Sequence, residues 1–296
     1  MTVIIDTPIE TVATGFTLTE GPRWRNGKLY FSDMFAGQIC TVDEAGHLET
    51  VVTVDGKPSG IGFMPNGDML FTIMNKAKVM RLGSNGVTLH ADLAPFADGE
   101  INDMAVGPTG RAYVGQLGFD HDKGEPAKTT KLIVIEPDGK ARVAADGLWG
   151  PNGIVLSEDG KMLVTAEAAG FQISAFDVDG AGNLSNVRIF AKPPERYAPD
   201  GICMDSRGGI WAAHPVGMNI EGLWGPGFMR YEAGGEETHL IPIGKGRRAI
   251  ACAFGGADRR TLYLCTTDVF SRDDALRNKG ARIGRVRLDF TGAGVP

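Results

Sequence analysis

The chain has 296 residues, 43% hydrophobic and 22% charged, enough apolar material for a sizeable globular core. Its net charge is −6 at pH 7 and its densest basic stretch is Lys245–Arg248, so it lacks the basic face that a nucleic-acid partner requires. No apolar run approaches the ~20 residues that span a bilayer, and Met1–Glu10 lacks the basic start and apolar core of a secretory signal, so a cytoplasmic protein without a membrane partner is expected.

Taken in order, the chain repeats one unit six times. An apolar–turn–glycine–strand segment appears first as Trp24-Arg25-Asn26-Gly27-Lys28-Leu29-Tyr30-Phe31. It returns as Phe63 to Phe71, Val106 to Val114, Leu156 to Val164 and Met204 to Ala212, and with a longer turn as Phe254 to Leu264. The turn glycines Gly27, Gly67, Gly110, Gly160 and Gly208 lie 40, 43, 50 and 48 residues apart, a period that fits four short strands and their turns. Most units add a second hairpin, such as Gln38–Val42 with Leu48–Val52 about Glu44-Ala45-Gly46, or Lys131–Ile135 with Ala141–Ala144 about Pro137-Asp138-Gly139. Sustained helical periodicity is absent, and Arg272–Lys279 is the best place for a short helix.

Six such units predict an all-β fold, a six-bladed β-propeller with four antiparallel strands per blade, forming a single domain over residues 1–296. The last unit is completed near the C-terminus by Ala281–Asp289, which leaves Thr11–Thr17 to supply its outer strand and close the ring.

The innermost strand of each blade lines the central channel, and the residue that leads into it stands at the channel mouth. At that repeat position the six units carry Glu20, Ser59, Asn102, Asn152, Asp200 and Ile250. Five of the six bear a side-chain oxygen. Each could be explained singly as a turn residue, because Asn-Gly and Asp-Gly are common turn pairs. Glu20 resists that explanation, and the shared register gathers the set on one axis. Two carboxylates and an amide oxygen suit a hard divalent cation, whereas structural zinc would prefer Cys and His.

At these residues the chain resembles the senescence marker protein/gluconolactonase/luciferin-regenerating enzyme family. The matching pieces are Glu20-Gly21-Pro22-Arg23-Trp24, Asn102-Asp103, Gly150-Pro151-Asn152-Gly153, Pro199-Asp200-Gly201 and Phe254-Gly255-Gly256 with Thr261-Leu262-Tyr263. The resemblance implies one divalent metal cation (Ca, Mg, Mn or Zn) held by Glu20, Asn152 and Asp200. Asp200 would also be the catalytic base, unless His214 or His121 reaches the site to take that role, with Asn102 beside the metal as a substrate contact. It implies a small-molecule lactone or ester substrate opened by water. Sugar-lactonase members commonly carry Arg two residues before the channel Asn. Here that residue is Glu100, which cannot donate the bonds Arg would. His121, His214 and Trp224 lie in segments expected at the same mouth and join Glu100 and Asn102 as candidate substrate contacts. The long, rather apolar run His214–Gly227 suits a substrate less polar than a sugar lactone.

Other chemistries are weaker. A Ser–His–Asp hydrolase of the GxSxG type is excluded by the absence of that motif. The four cysteines, Cys40, Cys203, Cys252 and Cys265, form no CxxC pair and read as reduced thiols, buried as small apolar side chains. The competing functional readings are a non-catalytic propeller that binds a partner through its faces, and the same scaffold with phosphotriesterase or other chemistry. A monomer or weak homo-oligomer is expected.

Overall fold

The computed structural model describes residues 1–119, 124–218 and 223–293. Its strands form the expected six-bladed β-propeller. Counting outward from the channel, blades 1 to 4 are consecutive four-stranded antiparallel sheets whose inner strands are Thr19–Arg25, Pro58–Phe63, Ile101–Val106 and Pro151–Leu156. Blade 5 starts at Ile202–Asp205 and blade 6 at Arg248–Gly255. The outer strand of blade 6 is Glu10–Phe16, antiparallel to Ala281–Arg287, so the N-terminal region closes the ring as expected, one residue earlier than Thr11–Thr17. An Arg285–Glu10 ion pair crosses that seam at 2.6 Å.

The alternation of side chains along each strand explains where the core lies. In blade 3, Ile133 and Ile135 face blade 2, while Leu132 and Val134 on the same strand face blade 4. Every blade is therefore apolar on both faces. The buried side chains fall into six clusters, one at each junction between neighbouring blades, including the junction of blade 6 with blade 1. Outer strands such as Leu48–Thr53 have one partner strand and lie largely in solvent.

Three features were not legible in the sequence. Val3–Ile4 adds a parallel edge to blade 5, Gly292–Ala293 pairs with that blade's inner strand, and Tyr197–Ala198 pairs with Val216–Gly217 above it. The expected helix is present at Arg272–Asn278, capped by Ser271, whose hydroxyl accepts from the Asp274 amide at 3.2 Å. Among the described residues no helix is long and apolar enough to cross a membrane.

Candidate active site at the channel mouth

The inner strands are not regular at the repeat position. Their pairing slips between Glu20 and Arg23, Pro58 and Ile61, Ile101 and Met104, Pro151 and Ile154, and Ala249 and Ala251. A bulge releases a residue from the ladder and re-aims its side chain. These bulges free Ser59, Asn102, Asn152 and Ile250 from the ladder, whereas Glu20 stays paired with Ser32 at the edge of its own bulge. In blade 5 Asp200 precedes the strand, and its amide donates to the Ala213 carbonyl at 2.9 Å.

The glycine that follows the ring residue has a different cause from the one its sequence suggests. Gly60, Gly153 and Gly201 do not have the positive φ of turn glycines. A Cβ on any of them would collide with the next blade: with Asp103 and Met104, with Asp200 and Ile202, and with Ala251. These glycines let neighbouring inner strands touch, and the narrow channel depends on that contact.

All six ring residues are buried. The Asn152 amide nitrogen donates to an Asp200 carboxylate oxygen, and its own carbonyl oxygen has no partner among the described residues. One Glu20 oxygen accepts from the Gly21 amide at 2.9 Å. Burial, reinforced by the charges of Asp200 and Asp103, pushes the Glu20 carboxyl well above the usual carboxylate range. Burial and the charge of Asp103 push Asp200 up to about 8. Neither acid is ion-paired among the described residues. Ser59 donates to the Asn102 side-chain oxygen at 3.1 Å, which leaves the Asn102 NH₂ as the group free to face a ligand. Ile250, the one apolar member, packs into the junction of blades 6 and 1.

Beneath the ring, Arg23 of blade 1 spans to blade 3. It donates to both Asp103 oxygens at 3.0 and 3.3 Å, and to the Met104 and Pro22 carbonyls at 2.6 and 2.9 Å. Asp103 also accepts from the amides of Met104 and Ile154, at 2.8 and 3.4 Å. This buried pair links three blades and supplies charge to the acids above it. Both residues stood in the recognised motifs, but nothing in the sequence joins positions 80 apart.

Above the ring, Glu100 is held by Lys57, whose ammonium lies 2.6 and 2.8 Å from its two oxygens. Trp224 lies at the rim, its ring 4.1 Å from the Arg248 guanidinium, which is 4.9 Å from the Phe270 ring on another side. Lys57, Glu100 and Arg248 each stand two residues before a ring residue, so one further step in the repeat register would have found Lys57 and Arg248. His214 lies inside blade 5. It is fully buried, with one ring nitrogen 3.3 Å from the Ala198 carbonyl and the other 3.0 Å from the Tyr231 hydroxyl, and burial lowers its pKa to about 3. It is a neutral tether for the segment leading to Asp200, not an open side chain at the mouth. His121 lies outside the described residues.

A metal would be held here by two carboxylates and one amide oxygen. Among the described residues no three side chains drawn from His, Cys, Asp and Glu converge. The donor set nevertheless fits a hard cation: two buried, mutually repelling acids lie in the same ring as a carbonyl oxygen that lacks a donor.

The comparisons with known proteins agree with this architecture. A regucalcin from Agrobacterium tumefaciens, described as a calcium-binding protein, superposes with a TM-score of 0.78 at 19% identity, covering 99% of this chain and 97% of that one. A gluconolactonase from Xanthomonas campestris gives 0.74 at 21% identity, covering 96% and 90%. In sequence, the regucalcin of Pongo abelii is 26% identical over 289 residues, 93% of this chain and 91% of that protein. The pentonolactonase XacC of Haloferax volcanii is 25% identical over 264 residues, 88% and 85% of the two chains. Residues 18–268 match the family model described as the SMP-30/Gluconolactonase/LRE-like region. That span runs from the strand bearing Glu20 to the end of the second strand of blade 6, and the chain belongs to that family.

Proposed function

We propose that the protein is a divalent-metal-dependent lactonase whose cation is held by Glu20, Asn152 and Asp200. The observation that carries the reading is the Asn152 carbonyl oxygen, buried without a partner among the described residues, in a ring with two acids whose pKa values burial and neighbouring negative charge raise. A native protein rarely leaves such a group unsatisfied, and it does so where a ligand is meant to sit. The names of the lactonase relatives support the reaction class.

When bound, the cation would act as a Lewis acid on the lactone carbonyl. Asp200, which would carry its charge once the cation is bound, is the acid placed to accept a proton from the attacking water. Its carboxylate is oriented by the Asn152 amide, and its backbone by the bond to Ala213. Asn102, fixed by Ser59, presents its NH₂ to the substrate carbonyl or to a water. Trp224 and Arg248 form one wall of the mouth, and Glu100 with Lys57 the opposite, charged one.

This wall favours a lactone less polar than a sugar lactone. Phe270 and Leu223 leave 41% and 47% of their surface in solvent on the Trp224 side, while Glu100 is engaged by Lys57. The test is a panel of alkyl γ-lactones, sugar lactones and phosphotriesters, each assayed with Ca²⁺, Mg²⁺, Mn²⁺ and Zn²⁺ added to chelated protein. Lactone turnover that requires an added cation is expected. Full turnover in the chelated protein, or in Asn152→Ala, overturns the proposal.

A further inference from the structure

Cys203 and Cys252 lie on the inner strands of blades 5 and 6, and their sulfurs are 3.5 Å apart. That is van der Waals contact between atoms 49 residues apart in sequence. Cys252 is buried, whereas Cys203 is only half-buried. Both line a small cavity of about 30 Å³, together with Arg23, Trp24, Arg259 and Ala293. The space suffices for a molecule the size of water or hydrogen peroxide. Arg259 lines the same cavity as the half-buried Cys203 thiol, while the Arg23 guanidinium there is already engaged by Asp103. The other two cysteines, Cys40 and Cys265, are sealed in the junction of blades 1 and 6.

We infer that Cys203 and Cys252 are a modification site, a dithiol that hydrogen peroxide converts to a disulfide joining blades 5 and 6. The Cys203 thiolate attacks the peroxide, taking one oxygen to become a sulfenic acid and expelling hydroxide. The Cys252 thiol then passes its proton to the departing sulfenic hydroxyl as its sulfur attacks Cys203, forming the S–S bond as water leaves. The two sulfurs together give up two electrons, and the peroxide is reduced to water and hydroxide. Cys203 is the half-buried member and meets peroxide first, which leaves the resolving step to the buried Cys252. Closing the bond ties the strand that follows Asp200 to its neighbour, without touching the ring itself.

The test is to treat the folded, full-length protein with hydrogen peroxide, block remaining thiols, and measure intact mass and cysteine-containing peptides. The expected product has lost two hydrogens, yields a Cys203–Cys252 linked peptide, and reverts with dithiothreitol. Its Tm rises by roughly 5 °C, as a cross-link closing a long loop should produce. Cys203→Ser should remain fully reduced, and Cys252→Ala should stop at a Cys203 sulfenic acid that dimedone captures. Oxygen addition at Cys203 in the unaltered protein without a linked peptide, or cross-links through Cys40 or Cys265, overturns the inference.

Discussion

Lys57 and Glu100 stand at the same position of two consecutive repeats, each two residues before its ring residue, and meet at 2.6 Å. Their side chains are 24% and 35% exposed, so the pair contributes at most about 1 kcal/mol to stability. Its weight falls on what enters the mouth. Glu100→Gln should leave Tm nearly unchanged while releasing the Lys57 ammonium toward the substrate. KM for a polyhydroxylated lactone is then expected to fall several-fold, with KM for an alkyl lactone moving less than about twofold. An unchanged ratio of the two would remove the pair from substrate recognition.

Asp200 couples function to an electrostatic cost. Its folded pKa of about 8 lies above its ordinary 3.8, so its favourable contribution is complete below pH 4 and is lost as pH rises to 8. In chelated protein, Asp200→Asn should therefore melt higher than wild type at pH 9, and the difference should shrink toward pH 4. Turnover should drop at least about 10²-fold in the same variant. Cation uptake at pH 7 should release a proton, read by titration calorimetry in buffers of different ionisation enthalpy. Proton-independent uptake would contradict the role given to Asp200.

Arg23 and Asp103 are 7% and 3% exposed, so neither can replace its partner with water. Arg23→Met leaves Asp103 charged beneath two further acids, and a loss of about 3–5 kcal/mol is expected in denaturant melts. Pairing it with Asp103→Leu should recover much of that loss. A single variant as stable as wild type would show that the linkage across the channel is not needed for folding.

His214 should contribute to the loss of stability in acid. Its folded pKa near 3 is below the ordinary 6.5, so its contribution is present above pH 6.5 and is lost as pH falls toward 3. The full difference is on the order of 5 kcal/mol. His214→Gln should flatten the fall in Tm between pH 6.5 and 4, whatever its effect at pH 7. An equally steep fall would assign acid sensitivity elsewhere.

The fold was legible because a repeat states its period openly, and the turn glycines spaced by 40 to 50 residues do so. The same register names Asn152 and Asp200, which the fold joins by a hydrogen bond, and Glu20, which feels the charge of Asp200. The missed features depend on packing between blades. Gly153 reads as half of an Asn-Gly turn, and only the neighbouring backbone at Asp200 reveals why a side chain is excluded. His214 reads as a mouth histidine because it ends a strand near Asp200; its inward rotation toward Tyr231 has no sequence mark. Arg23 meets Asp103 because blade 1 and blade 3 share a channel, a fact of closure and not of spacing.

Closure has a kinetic side as well. The outer strand of blade 6, Glu10–Phe16, is made early in synthesis, yet its partner Ala281–Arg287 emerges more than 260 residues later. Blades 1 to 4 draw all their strands from adjacent chain and can assemble as they emerge. The closing strand must wait unpaired throughout, and contacts of such long range are the slow ones in folding. Ring closure therefore rests on a contact that spans nearly the whole chain, and refolding kinetics should register it as a slow step.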